Sequence, residues 1–563
     1  DANVMDRTGV AGVAKDKGTV DHIVLDDLYV HDVDGNVINK HMANGGIYFI
    51  VEKPTDENAT GASKFNDLTI ENCSVVTTNR WGIAAAYTYA WAQLNSAHLN
   101  EAALEKYASS NVTIQNNYIK AAGGDAITTM YVDQPLVQYN VAEDCSRQMN
   151  PTDYPSGWQR VAAGIWPWKC KDSVFQYNEC YNNQYAYHGN GDGQAWDADW
   201  TDGTLYQYNY SHGNSRGAIM FCGAEAVNTT FRYNISENEL TGPLDLPGNP
   251  DAHIYNNTFY MNENIKSIFD RTGGNAVLEN NIFYYGGSTP LNQNWYPGGT
   301  LQYDNNLYYN FANTPSGDKN AVVVNAGTKV LEDAGSGPSS NTSGIAYIKE
   351  NASVFDGYKL AEDSPAINAG KVITDNNGYD LEHDFFGHAL TDIPEIGAAE
   401  SDYVTVTATS NVYNVANDQI SGLAKHTTVK ELLKNLKIDS NAQVTVKSGD
   451  KVLAENDVVN GGCTVTISYG EKSKTYTIVA SSDCELKSTV YMMTGTTIKI
   501  PSTEKNPATV SEVKQNVKTS STATVNVISD DKVLANTDTI ADGMTLRITA
   551  EDGNKRLRYC RKE

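Results

Sequence analysis

From Ile114 onward, short runs of strand-like residues end again and again on an asparagine. The copies are Ile114-Gln-Asn-Asn117, Val137-Gln-Tyr-Asn140, Phe175-Gln-Tyr-Asn178, Tyr206-Gln-Tyr-Asn209, Phe231-Arg-Tyr-Asn234, Ile254-Tyr-Asn-Asn257, Leu278-Glu-Asn-Asn281 and Gln302-Tyr-Asp-Asn-Asn306. Successive anchors lie 23, 38, 31, 25, 23, 24 and 25 residues apart, and earlier copies without the asparagine occur at Leu25-Asp-Asp27-Leu and Ile70-Glu-Asn-Cys73. A period near 24 residues, built of short strand patterns and turns, marks a solenoid in which each repeat buries its apolar face only against its neighbours. Helical repeats need long stretches of 3.6-residue periodicity, which are absent, and leucine is too scarce at fixed offsets for a leucine-rich repeat. The fold expected is all-β: a right-handed parallel β-helix with two or three strands per coil. Asparagines stacked at one corner can form an amide ladder that satisfies the backbone of the turn.

Two stretches break the period. Residues 85–110, with Ala102-Ala-Leu-Glu-Lys106, read as a short helical excursion between coils. The 38- and 31-residue spacings bracket Trp158, Trp166 and Trp168 and then an acidic cluster. Extra residues in a solenoid emerge as loops on one flank, commonly the binding face. The solenoid is expected to close near Ser364-Pro-Ala-Ile-Asn-Ala-Gly370, Asp384-Phe-Phe-Gly387 and Ile393-Pro-Glu-Ile-Gly397. Beyond residue 401 the composition shifts to Thr, Val, Ser and Lys. There Thr428-Val-Lys-Glu-Leu and Asp450-Lys-Val-Leu-Ala recur 81 residues later as Thr509-Val-Ser-Glu-Val and Asp531-Lys-Val-Leu-Ala. The expected division is a β-helical catalytic domain over 1–400 and two small β-rich modules over 401–482 and 483–563, read as spacer or wall-attachment modules.

The acidic cluster is His188-Gly-Asn-Gly-Asp192-Gly-Gln-Ala-Trp-Asp197-Ala-Asp199-Trp200-Thr-Asp202-Gly203, four aspartates within eleven residues. Aspartate and glycine weaken strands, so such a run needs a local reason. Strand alternation places Asp197 and Asp199 on one face with Ala195, and Trp196, Ala198 and Trp200 on the other. Asp192 lies on the preceding glycine-flanked turn, from which it can fold back to the same face. Asp202-Gly203 is ordinary turn sequence. Three readings of Asp192, Asp197 and Asp199 stand side by side. Paired carboxylates hydrolyse a glycosidic bond, one as acid/base and one as nucleophile, with their separation set by retention or inversion. A Ca²⁺ site would serve a polysaccharide lyase, which also needs a basic residue. The third reading is turn structure alone. Trp166, Trp168, Trp196 and Trp200, four of the chain's eight tryptophans within 35 residues, favour a sugar site, because indole faces stack on pyranose rings and an adjacent indole desolvates a carboxyl. His188, His212 and Arg216 lie on adjacent segments and are candidates for binding sugar hydroxyls.

Net charge is −26, which argues against nucleic acid or an anionic membrane surface as partner and weighs against a polyanionic substrate such as pectate. No apolar run approaches the roughly 18 residues of a membrane span, so no membrane insertion is expected. No signal peptide is visible and the chain opens mid-pattern at Asp1, so a trimmed start is expected. An extracellular or cell-surface location suits the polar, acidic, Tyr-rich composition. The eight cysteines contain no CxxC pair, which disfavours zinc and redox sites. Most read as reduced core residues, and the Cys170–Cys180 spacing allows one disulfide.

Gly191-Asp-Gly-Gln-Ala-Trp-Asp-Ala-Asp199 leading into Gln207-Tyr-Asn-Tyr-Ser-His212, within a β-helix that closes on Ser364-Pro-Ala-Ile-Asn, resembles the β-helical lacto-N-biosidases of glycoside hydrolase family 136 over roughly residues 1–400. The resemblance implies a catalytic pair of aspartates seven residues apart, a spacing that Asp192 and Asp199 satisfy within the cluster. It makes Asp192 the acid/base and Asp199 the nucleophile of a retaining mechanism, with Asp197 a supporting ligand; the residues themselves suggest Trp166, Trp168, Trp196, His188, His212 and Arg216 as substrate-binding. The implied reaction releases lacto-N-biose (Gal-β1,3-GlcNAc) from lacto-N-tetraose-type oligosaccharides. It also implies a dedicated folding partner or helper domain. No cofactor is expected for the chemistry, with Ca²⁺ at most structural. The other classes to be told apart are a Ca²⁺-dependent β-helix lyase and a non-catalytic glycan-binding adhesin.

Overall fold

The computed structural model describes residues 8–34, 44–94, 100–148, 161–184, 192–338, 352–374, 377–391, 393–401, 403–439, 441–480, 484–501, 506–519, 523–550 and 555–562. The chain divides into two compact units, Asp1–Asp402 and Tyr403–Glu563.

In the first unit, successive coils contribute strands to three parallel sheets, the last coils only to the second and third. The first sheet has eight strands, from Thr8–Ala14 to Leu244–Asp245. The second has eleven, from Thr19–Asp26 to Leu301–Asp304, and the third eleven, from Tyr29–Val33 to Val322–Val324. Neighbouring strands within each sheet are parallel, as in Phe175↔Tyr206↔Phe231 of the second sheet. The winding is right-handed, the sense that parallel crossover connections take.

Alternation along each short strand sends every other side chain inward. The inward residues stack coil on coil into one continuous core running from Ala14 to Phe311. Phe259, Phe283 and Tyr308 stack in this way with ring centroids 5.5 and 5.7 Å apart. Cys73, Cys145, Cys170 and Cys180 are buried in the same core. All eight cysteines are free thiols, so the disulfide that the Cys170–Cys180 spacing allowed does not form; the Cys170 sulfur accepts from the Val132 N–H and the Cys180 sulfur from the Asn183 amide.

The repeated asparagine occupies the corner between the second and third sheets. The residue before it is left-handed, as at Tyr177 (φ 54°), Tyr208 (φ 57°) and Tyr233 (φ 49°), which turns the chain sharply. The asparagine then bonds the corner above it. Asn140 accepts from the Asn117 amide, and the pattern continues through Asn178, Asn209, Asn234, Asn257, Asn281 and Asn306. At the top Asp318 accepts from both the backbone and side-chain N–H of Asn306. An acceptor-only residue fits there because the Asn306 amide supplies the donors.

The helical excursion is shorter than its sequence suggested, with Trp81–Thr88 remaining a strand and helices at Trp91–Leu94 and Glu101–Tyr107. Leu94, Leu104 and Ala108 pack with Tyr48, Trp81 and Trp166 on the outer face of the first sheet. Among the described residues, that cover lies over the early coils.

The second unit contains two sheets of six strands with the same order of elements. In each, a threonine caps a short helix: Thr428 for Val429–Lys434 and Thr509 for Val510–Asn516. Each has its own apolar core, one around Leu432, Val465 and Ile467, the other around Val513, Leu546 and Ile548.

Candidate active site

The strand Trp196–Asp199 belongs to the first sheet. Its alternation puts Trp196 and Ala198 in the coil interior and leaves Asp197 and Asp199 on the outer face. The parallel register builds the surroundings: Trp168, Asp199 and Cys222 form one row, and Asp197, Met220 and Asp245 another. The carboxylates of Asp197 and Asp199 and the thiol of Cys222 lie within 4.8 Å of one another. Burial pushes the Cys222 thiol well up, and the charges of Asp199, Asp197 and Asp192 add to it, so it stands as a neutral S–H donor beside Asp199.

Asp192 precedes the strand and is anchored by Arg271, three coils further on. Arg271 forks onto the fully buried Asp245, with Nε 2.8 Å from Oδ1 and Nη2 2.5 Å from Oδ2. The same Nη2 reaches Asp192 Oδ1 at 3.4 Å and Met220 Sδ at 2.6 Å. Gln194 donates to Asp245 at 2.5 Å, which ties the segment after Asp192 to the same buried carboxylate. Burial pushes the Asp245 carboxyl up while Arg271 pulls it down. A forked guanidinium of this kind fixes direction as well as charge. Asp192 thus stands over the face that carries Asp197 and Asp199.

At the corner that ends these first-sheet strands, Tyr131, Lys169, Trp200 and Gly223 follow one another in successive coils, all left-handed (φ 55°, 54°, 56° and 77°). The Lys169 ammonium lies 3.9 Å from the centre of the Trp200 ring and 5.8 Å from that of Trp168. Burial pushes it down, opposed by the charges of Asp199 and Glu225.

The structure therefore brings together Asp192, Asp197, Asp199 and Trp168 and separates several other candidates. Trp196 is fully buried in the interior, where its bulk fills the coil, so it offers no face to a sugar. Trp166 is on the outer side but sealed under the helical excursion, with its N–H donating to Asp125 at 3.0 Å. His212 lies on the third sheet, stacked between Tyr181 and Tyr210 and paired with buried Glu179 at 3.1 Å. Burial pushes its imidazole down to about 3, which keeps it neutral and away from the aspartates. Arg216 pairs with Asp270 at 2.6 Å and donates its backbone N–H to the Gly193 carbonyl, so it braces the Asp192 segment. Asp202 begins a second-sheet strand and accepts from Asn228. His188 lies outside the described residues.

Lys169, Cys222, Asp245 and Arg271 were not singled out by sequence reading. The period itself carried the signal for three of them: 23 residues from Asp199 gives Cys222, and 48 and 74 from Asp197 give Asp245 and Arg271. Among the described residues, Asp197, Asp199 and Cys222 are the grouping whose atoms lie close enough to share a cation. Ca²⁺ takes six to eight oxygens, so a thiol in this trio makes it a poor match for calcium. The arrangement offers buried Asp197 and half-buried Asp199 on one outer face, an indole beside them and a buried cation, which suits acid–base and nucleophilic work on a neutral polyhydroxyl substrate.

No family profile matches the chain. A lacto-N-biosidase from Bifidobacterium longum subsp. longum is 46% identical to it over 499 residues, which is 81% of this chain and 31% of that protein. The chain thus spans about a third of that relative's length. The solved structure of a GH136 lacto-N-biosidase from Eubacterium ramulus is 43% identical, over 51% of this chain and 46% of that one, with a TM-score of 0.48.

Proposed function

From a chain that resembles the lacto-N-biosidases of glycoside hydrolase family 136, we propose a retaining β-glycosidase that releases lacto-N-biose from lacto-N-tetraose-type oligosaccharides. The observation that carries the reading is the convergence of Asp192 and Asp199 on one outer face of the first sheet, each held by its own partners. Asp199 sits on a rigid strand with Lys169 and Cys222 beside it, an environment that favours the carboxylate and suits a nucleophile. Asp192 enters from the adjoining segment, beside an arginine whose charge is already matched by Asp245, and takes the acid/base role.

In the first step the Asp199 carboxylate attacks the anomeric carbon while Asp192 gives its proton to the departing glycosidic oxygen. The C–O bond to the leaving sugar breaks and a glycosyl ester forms. In the second step Asp192 takes a proton from water, which attacks the ester and restores both carboxyls with net retention. Asp197, next to Asp199 on the same face, serves as a supporting residue, and Trp168 as an aromatic wall. The chemistry needs no metal in this scheme. A dedicated folding partner or helper domain, and a place outside the cell or on its surface, complete the proposal.

The test is product analysis after incubation with lacto-N-tetraose. Asp192→Asn and Asp199→Asn should each lower release of lacto-N-biose by at least about a thousandfold, on the order of 4 kcal/mol in the barrier, with an unchanged circular dichroism spectrum. Near-normal release by either folded variant removes that residue from the mechanism.

A further inference from the structure

We propose that Lys169 is a positioning residue that holds Asp199 in its carboxylate form; this rests on the role given to Asp199 above. The corner that Lys169 occupies is left-handed (φ 54°), a conformation in which a lysine has no intrinsic advantage. Its backbone N–H donates to the Asp199 carbonyl at 3.1 Å, which fixes the corner against the strand that bears the nucleophile. Its side chain is only 5% exposed, unusual for lysine, and buried charges persist where something opposite in sign faces them. Two things accompany this charge. The Trp168 and Trp200 rings flank the ammonium, an arrangement favourable to a desolvated cation, and Asp199 and Glu225 attract it.

The groups around Asp199 favour a positive charge beside it. Asp197 lies on the same strand and face, with a carboxylate oxygen within 4.8 Å of one on Asp199; Asp192, the acid of the first step, is protonated when Asp199 attacks. A like charge as close as that of Asp197 opposes ionisation of the Asp199 carboxyl. Tyr131, one coil before Lys169 at the same corner, feels the charge of Asp199, and Cys222 supplies a neutral thiol. Lys169 brings the counterbalancing charge, and Trp200, 40% exposed, shields it from water and so from screening.

The test is the pH dependence of kcat/KM on an aryl β-lacto-N-bioside with a good leaving group, so that ionisation of the nucleophile governs the acid side. In Lys169→Met, the acid limb should move up by about one pH unit, a loss of about tenfold at any pH on that limb. Lys169→Arg, which keeps the charge, should leave the limb in place. A folded Lys169→Met with the wild-type limb overturns the proposal. If the methionine variant does not fold, Lys169→Gln takes its place with the same expectation. If neither neutral variant folds, Lys169→Arg decides, because an upward shift in a variant that keeps the full charge also contradicts the account. Asp199→Asn separates the two levels: an active Asp199→Asn defeats the reading of the site, whereas an inactive one together with an unmoved limb in Lys169→Met defeats this inference alone.

Discussion

Asn209 shows how much one side chain does in a solenoid corner. Its oxygen accepts from the Asn178 backbone and side-chain N–H groups, and its amide donates to the Phe175 carbonyl and to Asn234. Asn209→Ala would leave several of these partners buried without a hydrogen bond, at about 1–3 kcal/mol for each group left unsatisfied. Relaxation recovers part of that, so a net loss of about 3 kcal/mol is expected in urea unfolding. A cost below about 1 kcal/mol would show that the ladder only decorates the turn. The same scale governs the catalytic face. Trp196 and Asp197 are neighbours in sequence with opposite fates, one filling the interior and the other facing out, because a strand alternates its sides.

At the scale of elements, the first-sheet strands act as a rack that sets chemistry in rows, and the segment from 384 to 400 closes over the flank of the coils. That segment carries an unusual buried carboxyl pair. The Glu395 carboxyl is pushed up to about 10, first by burial and then by its hydrogen bond and charge interaction with Glu400. The folded chain therefore keeps a proton that the unfolded chain gives up near the ordinary value of 4.5. The stabilisation is complete below about pH 4.5 and is lost progressively as pH rises towards 10. Glu395→Gln removes the titration, so its melting temperature relative to wild type should be higher at pH 9 than at pH 5. An equal difference at both pH values would mean that the pair shares no proton. Much of this scale was legible in the sequence. The asparagine spacing gave coils and corner, and alternation put Asp197 and Asp199 on one face. What stayed hidden came from two causes. Tryptophans do not announce which side of a strand is covered, so Trp166 and Trp196 read as sugar platforms although helix and coil enclose them. Partners from later coils, Asp245 and Arg271, become visible only when the period is applied to the acidic cluster as well as to the asparagines.

The whole molecule is a β-helical unit that carries the candidate site and a second unit of two repeated small folds. Its likeness to a Bifidobacterium lacto-N-biosidase extends over 81% of the chain, while the site is confined to a few coils of the first sheet. The most direct test of the whole account is ¹H NMR of the wild-type chain acting on lacto-N-tetraose, recorded before the anomers of the released sugar equilibrate. The account predicts lactose and lacto-N-biose as products, with the β-anomer of lacto-N-biose appearing first. Initial release of the α-anomer would contradict the Asp192–Asp199 double displacement, and an intact tetrasaccharide would contradict the proposed activity itself.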